Sequence, residues 1–155
     1  MSYFAIGIEN CKIKANLGTL WRSAHVYDAA FMFVIGRRYE RQPSDTTKAW
    51  RQIPLFHYDI FEDFYKNLPH DCTLIGVETT PTAMPVHRFI HPRRAIYLLG
   101  AEDRGLSEQA KEKCHRLLIL PGAWCLNVAC AGTIVMYDRL IKRDKETEIT
   151  YPPLK

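Results

Sequence analysis

Three short segments carry the side chains with which this 155-residue chain could do chemistry. The first reads Asn16-Leu17-Gly18-Thr19-Leu20-Trp21-Arg22. Asn16 fits a helix N-cap, its side-chain oxygen taking a backbone N–H of the first turn. Gly18 leaves room for a ligand to approach the backbone, and the unpaired N–H groups of such a turn attract anions. Arg22 follows Gly18 by four residues and Thr19 by three, so it shares their helix face. A guanidinium held there can grip a phosphate through two hydrogen bonds. A capped helix with one surface arginine accounts for the same residues.

The second segment, Leu98-Leu99-Gly100-Ala101-Glu102-Asp103-Arg104-Gly105-Leu106, leaves an apolar run, turns between glycines and enters a helix capped at Ser107. Its glycines are five apart with three charges between them, which is not a dinucleotide-binding fingerprint. The exposed backbone suits a purine edge or an amino acid; the bland alternative is a solvated loop. The third segment runs Leu120-Pro121-Gly122-Ala123-Trp124-Cys125-Leu126-Asn127-Val128-Ala129. Asn127 is its one strongly hydrogen-bonding side chain, and a buried amide must find partners or serve a ligand. Cys125 has no Lys, Arg or His close in sequence to lower its pKa, so it reads as a buried structural thiol rather than a nucleophile.

These segments need strands and helices to present them. Apolar runs at 3–8, 31–35, 73–77, 95–99 and 117–120 read as strands, with 55–59 a further short one. Helical patterns occupy 17–27, 61–67, 107–114 and about 126–143. The alternation predicts an α/β fold: a mostly parallel sheet covered by helices on both faces. In such sheets ligands bind beyond the carboxyl ends of the strands, which is where all three segments fall.

Composition narrows the classes further. With 47% hydrophobic and 25% charged residues the chain is neither disordered nor fibrous. Its length suits one domain, residues 1–155, with about 144–155 as a surface or partner-bound tail. The net charge of +4 permits an anionic partner without requiring one. The stretch 117–137 lacks charge and is long enough to span a bilayer, but Pro121-Gly122 breaks it into a core strand and a core helix. No membrane is expected. The five cysteines form no CxxC and have no paired histidines at zinc spacing, so no metal is expected. Their odd number and the absence of a secretory signal point to the cytoplasm.

Taken in order, Asn16-x-Gly18-Thr19-x-x-Arg22, Gly100-x-Glu102-x-x-Gly105-Leu106, and Leu120-Pro121 followed by Leu126-Asn127-Val128 resemble the SpoU (TrmH-like) branch of the SPOUT RNA methyltransferases. The likeness covers nearly the whole chain, which is similar to the minimal single-domain members that act largely on tRNA. It implies a C-terminal third threaded as a deep trefoil knot, S-adenosylmethionine bound in that knot, a homodimer, and methylation of a ribose 2′-hydroxyl. By the same likeness Glu78, Thr79, Gly100, Leu120, Cys125 and Leu126 contact the cofactor, Arg22 is the catalytic arginine, and Asn16, Glu102 and Asn127 are its polar companions. Two departures stand out: Cys125 replaces the usual Ser, and the stretch from Pro121 to Leu126 is a few residues short.

An RNA partner, tRNA before rRNA, calls for cationic surface. Arg37, Arg38, Arg41, Lys48 and Arg51 form one basic segment, and His87, Arg88, His91, Arg93 and Arg94 another. Trp50 and Phe89 are candidates for stacking on unpaired bases. Two other readings fit the residues: a catalytically silent knotted module that binds RNA or protein, and a small nucleotide-binding α/β domain.

Overall fold

The computed structural model describes residues 3–36 and 51–144. Arg37, Arg38, Arg41, Lys48, Trp50 and the tail beyond 144 lie outside the described residues. The described elements run β1 (Tyr3–Glu9), α1 (Lys14–Val26), β2 (Phe31–Ile35), β3 (Leu55–Tyr58), α2 (Phe61–Lys66), β4 (Thr73–Val77), β5 (Met84–Pro85), a 3-10 turn (Val86–Arg88), β6 (Arg94–Leu99), α3 (Glu108–Lys113), β7 (Arg116–Ile119) and α4 (Val128–Asp144). The seven strands form one sheet in the order β3-β2-β1-β6-β4-β7-β5, every pair parallel. The expected alternation holds. Only β5 has no counterpart in the sequence reading, because two residues of edge pairing leave no hydrophobic run to detect.

Strand side chains alternate between faces, and the two faces carry separate cores. Phe4, Ile6 and Ile8 of β1 point to one face, packed under α1 and α4 through Leu20, Trp21, Val135 and Met136. Ala5, Phe33, Ile35, Leu74 and Ile96 point to the other, under Phe61 and Phe64 of α2 and Ala110 of α3. Strands buried on both sides read as continuous apolar runs, which is why they were legible. The uncharged 117–137 stretch resolves into β7, a loop and most of α4, and no helix among the described residues is long and apolar enough to cross a membrane. Gly132 lets α4 cross α1 closely, since a Cβ there would overlap Leu20 Cδ1.

The far end of α4 is fastened by a buried polar cluster. Arg139, 1% exposed, donates to the carbonyls of Pro92 (2.6 Å) and Arg93 (2.9 Å). Asp138 accepts from His91 Nε2 at 2.8 Å and from Lys142 Nζ at 2.6 Å, and Lys142 also reaches the Phe89 carbonyl at 3.0 Å. These contacts correct two surface assignments. The His91 side chain is 2% exposed, and Phe89 is also 2% exposed, so neither faces an RNA. Burial lowers the His91 pKa to about 4 against the opposing pull of Asp138, with Arg139 and Lys142 adding to the depression. The neutral ring fits its partners: Nε2–H donates to Asp138, and Nδ1 lies 2.5 Å from the Tyr97 hydroxyl.

A depressed base binds fewer protons folded than unfolded, so its stabilisation is present above pH 6.5 and drains away as pH falls toward 4. Thermal or urea unfolding should show roughly 2–3 kcal/mol lost over that window. In His91→Gln this part of the pH dependence should vanish; an unchanged slope would refute the assignment.

Candidate active site

Beyond the carboxyl ends of β4, β6 and β7 opens a cavity of about 710 Å³, within the usual range for a small-ligand site. The six residues expected to hold a cofactor, Glu78, Thr79, Gly100, Leu120, Cys125 and Leu126, all line it. So do Glu102 and Asn127. Asn16 stands just behind the wall, 7% exposed and bonded to both of these.

The three loops meet through an oriented chain of hydrogen bonds. Asn127 Oδ1 accepts the N–H groups of Ala129 (2.9 Å) and Cys130 (3.3 Å), capping α4. Its Nδ2 donates to Asn16 Oδ1 at 2.9 Å, and Asn16 Nδ2 donates to Glu102 Oε1 at 2.5 Å. Glu102 also takes the backbone N–H of Lys12 at 3.0 Å and of Ile13 at 3.4 Å. Burial works against the charge of Glu102, but the bonds from Asn16 and these N–H groups outweigh it and hold its carboxyl below the ordinary range. The expected capping role of Asn16 is therefore corrected. Helix α1 begins earlier, with Ile13 at its N-cap in extended backbone, and the Asn16 amide is spent on tertiary partners instead. Asn127, expected to need partners, finds them.

The glycine loop is shaped by its own backbone. Ala101 and Gly105 exchange two hydrogen bonds of 3.0 and 2.9 Å, and Gly105 adopts φ +68°. Gly100 lies so close to the Gly105–Leu106 peptide that a Cβ would overlap its atoms. Two carboxylates brace the turn. Glu78 accepts from Leu106 N–H at 2.6 Å and Thr79 N–H at 2.8 Å. Glu9, 3% exposed, accepts from the Ser107 N–H at 2.9 Å and hydroxyl at 2.7 Å, while Ser107 Oγ caps α3 as expected by accepting from Ala110 N–H. Sequence reasoning missed Glu9. Its only signal was a carboxylate directly following the apolar run at 3–8.

Cys125 departs from expectation in the other direction. It is exposed on the cavity lip, its sulfur 3.9 Å from Thr79 Oγ1, beside a 90% exposed Trp124. Arg22 is exposed on α1 and lines no part of the cavity. Of the second basic segment His87, Arg88 and Arg93 remain exposed, while Arg94 pairs with Asp71 at 3.5 Å.

A sequence model described as the SpoU rRNA Methylase family matches residues 3–137. The chain belongs to that family. No curated protein matches the chain. Among solved structures, an A. aeolicus TrmH/SpoU tRNA modifying enzyme superposes with a TM-score of 0.85 at 14% identity, covering all of this chain and 82% of that one. An AdoMet-bound rRNA methyltransferase from Sinorhizobium meliloti gives 0.82 at 18% identity, over 92% of this chain and 57% of that one. A structure concerned with 2-OH methylation of C/U34 on tRNA gives 0.78 at 20% identity, over 93% and 98% respectively. This SpoU-family chain thus spans less than two thirds of the Sinorhizobium enzyme but nearly all of the third relative.

The glycines of the family motifs separate by purpose. Gly18 has open space where a Cβ would project, so Gly18→Ala should stabilise the helix by up to about 1 kcal/mol in urea unfolding. Gly100→Ala should cost about 1–3 kcal/mol, because backbone atoms must move. Equal effects of the two would contradict the geometry.

Proposed function

We propose that this SpoU-family chain is an S-adenosylmethionine-dependent RNA 2′-O-methyltransferase, with tRNA as its substrate rather than rRNA. What carries the reading is the convergence of three segments, far apart in the chain, on one cavity through Asn127, Asn16 and Glu102. The cavity suits the cofactor's chemistry. Val77, Leu99 and Leu120 offer apolar wall to an adenine, while Glu78, Glu102 and Asp103 offer acceptors to hydroxyl and ammonium groups. When bound, the cofactor supplies a sulfonium methyl that is already electrophilic.

The protein's own task is to orient a poor nucleophile and help it shed a proton. Arg22 stands outside the cavity lining, so the reading assigns it to the RNA: its guanidinium fixes a phosphate next to the target ribose and polarises the hydroxyl. Arginine does not itself take the proton; the phosphate it holds helps accept it. Asn16, Asn127 and Glu102 keep the surrounding loops in register. A homodimer belongs to the same reading, supported by exposed apolar side chains on adjoining helices: Val26 of α1, and Ile134 and Tyr137 of α4, with Tyr137 in ring contact with Tyr27. The C-terminal trefoil knot that the resemblance implies goes with it, as does the cytoplasm, since the five cysteines form no disulfide.

Calorimetry with S-adenosylmethionine should give heat; the silent module predicts none. With radiolabelled cofactor and unmodified total RNA, label should map to a ribose. Arg22→Ala should keep cofactor affinity but lose methyl transfer about a hundredfold or more. Full activity would remove Arg22 from the mechanism. In sedimentation equilibrium the double variant Val26→Glu, Tyr137→Glu should run as a monomer; a dimer of unchanged strength would place the interface elsewhere.

A further inference from the structure

The sheet has a second crevice that the cofactor reading leaves unused. Strands β1 and β6 lie side by side, yet the chain leaves them in opposite directions: β1 leads into α1 on one face and β6 leads toward α3 on the other. Adjacent parallel strands whose following loops diverge this way form the crevice in which open α/β sheets usually bind ligands. At that point lies a cavity of about 660 Å³, between Asn10 and Lys12 after β1, Gly36 after β2, and the 101–107 loop. It shares Ala101, Asp103, Arg104 and Gly105 with the first cavity, so one loop is the wall between them.

We propose that this crevice seats the nucleotide whose ribose is methylated, so that the sugar lies over the Ala101–Gly105 wall with its base and phosphate on the crevice side. The inference rests on the methyltransferase reading, which requires a ribose oxygen to reach the first cavity, here across the wall that the two spaces share. Charge and polarity fit a nucleotide. Arg104 is exposed, lines both cavities, and forms no ion pair among the described residues, leaving its guanidinium available to a phosphate. Lys12 is also at the rim, its charge shared with Asp103 at 2.7 Å in an exposed pair that an incoming phosphate can compete for. Asn10 supplies an amide able to read a base edge. Its backbone is held at φ 52° by a bond from its N–H to the Ile35 carbonyl, and Gly36, at φ +83°, packs where a Cβ would overlap Asn10 Oδ1. Sequence at this crevice, rather than the cofactor wall, then selects which nucleotide is accepted.

Amide resonances of the full chain distinguish the two cavities. A mixed-sequence single-stranded RNA nonamer should shift Asn10, Lys12 and Gly36, while S-adenosylhomocysteine alone should shift Thr79 and Leu126 instead. Lys12→Ala, at a rim residue that lines only the crevice, should weaken RNA binding about tenfold and leave S-adenosylhomocysteine binding unchanged, with Lys12→Arg intermediate. RNA shifts that avoid Asn10, Lys12 and Gly36 would overturn the proposal, as would an equal loss of S-adenosylhomocysteine affinity in Lys12→Ala. If RNA shifts the crevice but S-adenosylhomocysteine binds nowhere, the crevice binds RNA, while the cofactor reading falls and the placement of a methylated ribose falls with it.

Discussion

The structure's functional end depends on one constraint: two amides and a carboxylate must all point the same way along a single chain of hydrogen bonds. At one extreme, the N–H groups that open α4 fix the orientation of Asn127 by demanding its oxygen. At the other, Glu102 can only accept, so it demands the nitrogen of Asn16. Between these fixed ends Asn127 and Asn16 have one consistent arrangement. A helix N-terminus, with its partial positive charge, thus feeds donors toward an ionised carboxylate, an electrostatically favourable direction. Truncating any member leaves a half-buried polar partner unmet, a larger cost than the loss of one ordinary hydrogen bond. Three loops that local sequence would leave independent therefore move as one.

That coupling explains the division between what could be read in the sequence and what could not. The strands were legible because β1, β2, β4 and β6 are buried on both faces and so are apolar almost without interruption. Two-residue β5 left no such trace. The site was legible residue by residue only through the resemblance, since Asn16 bonds a partner 86 positions away and another 111 away, beyond any spacing argument. Local rules then misdirected. Asn16 looked like a cap because asparagine near a helix start usually is one, but tertiary partners claimed its amide. Phe89 and His91 looked like surface because the irregular 86–93 stretch has no period; what buries them is α4, arriving from about 50 residues later, as the Lys142–Phe89 and His91–Asp138 contacts record. Cys125 looked buried because its neighbours are apolar, yet that whole loop is solvent-facing.

Glycine usage makes the same point about position. Gly100 and Gly105 serve the fold, one by backbone proximity and the other by its left-handed φ, and together they let a three-charge loop turn tightly enough for Glu78 and Glu9 to brace it. Gly18 answers to nothing in the fold: space is open above it, and glycine weakens a helix. A residue that costs stability without easing any contact is accounted for by what must approach it from outside.

Helix α4 is held at both ends for a related reason. Its start is fixed at the cavity by Asn127, and its far end by Arg139, Asp138 and Lys142 against the 86–93 stretch and β6. Seventeen residues make a rod of about 25 Å, so a small tilt at one end would displace the cavity lip at the other. The composition of the distant anchor follows from charge. His91 already faces two cations, Arg139 and Lys142, and its own protonation would add a third positive charge beside Asp138. A neutral ring that accepts from Tyr97 and donates to Asp138 satisfies both partners without that excess. The anchor therefore stays closed wherever histidine is uncharged, and the loop carrying Cys125 and Asn127 is positioned by groups that never touch it.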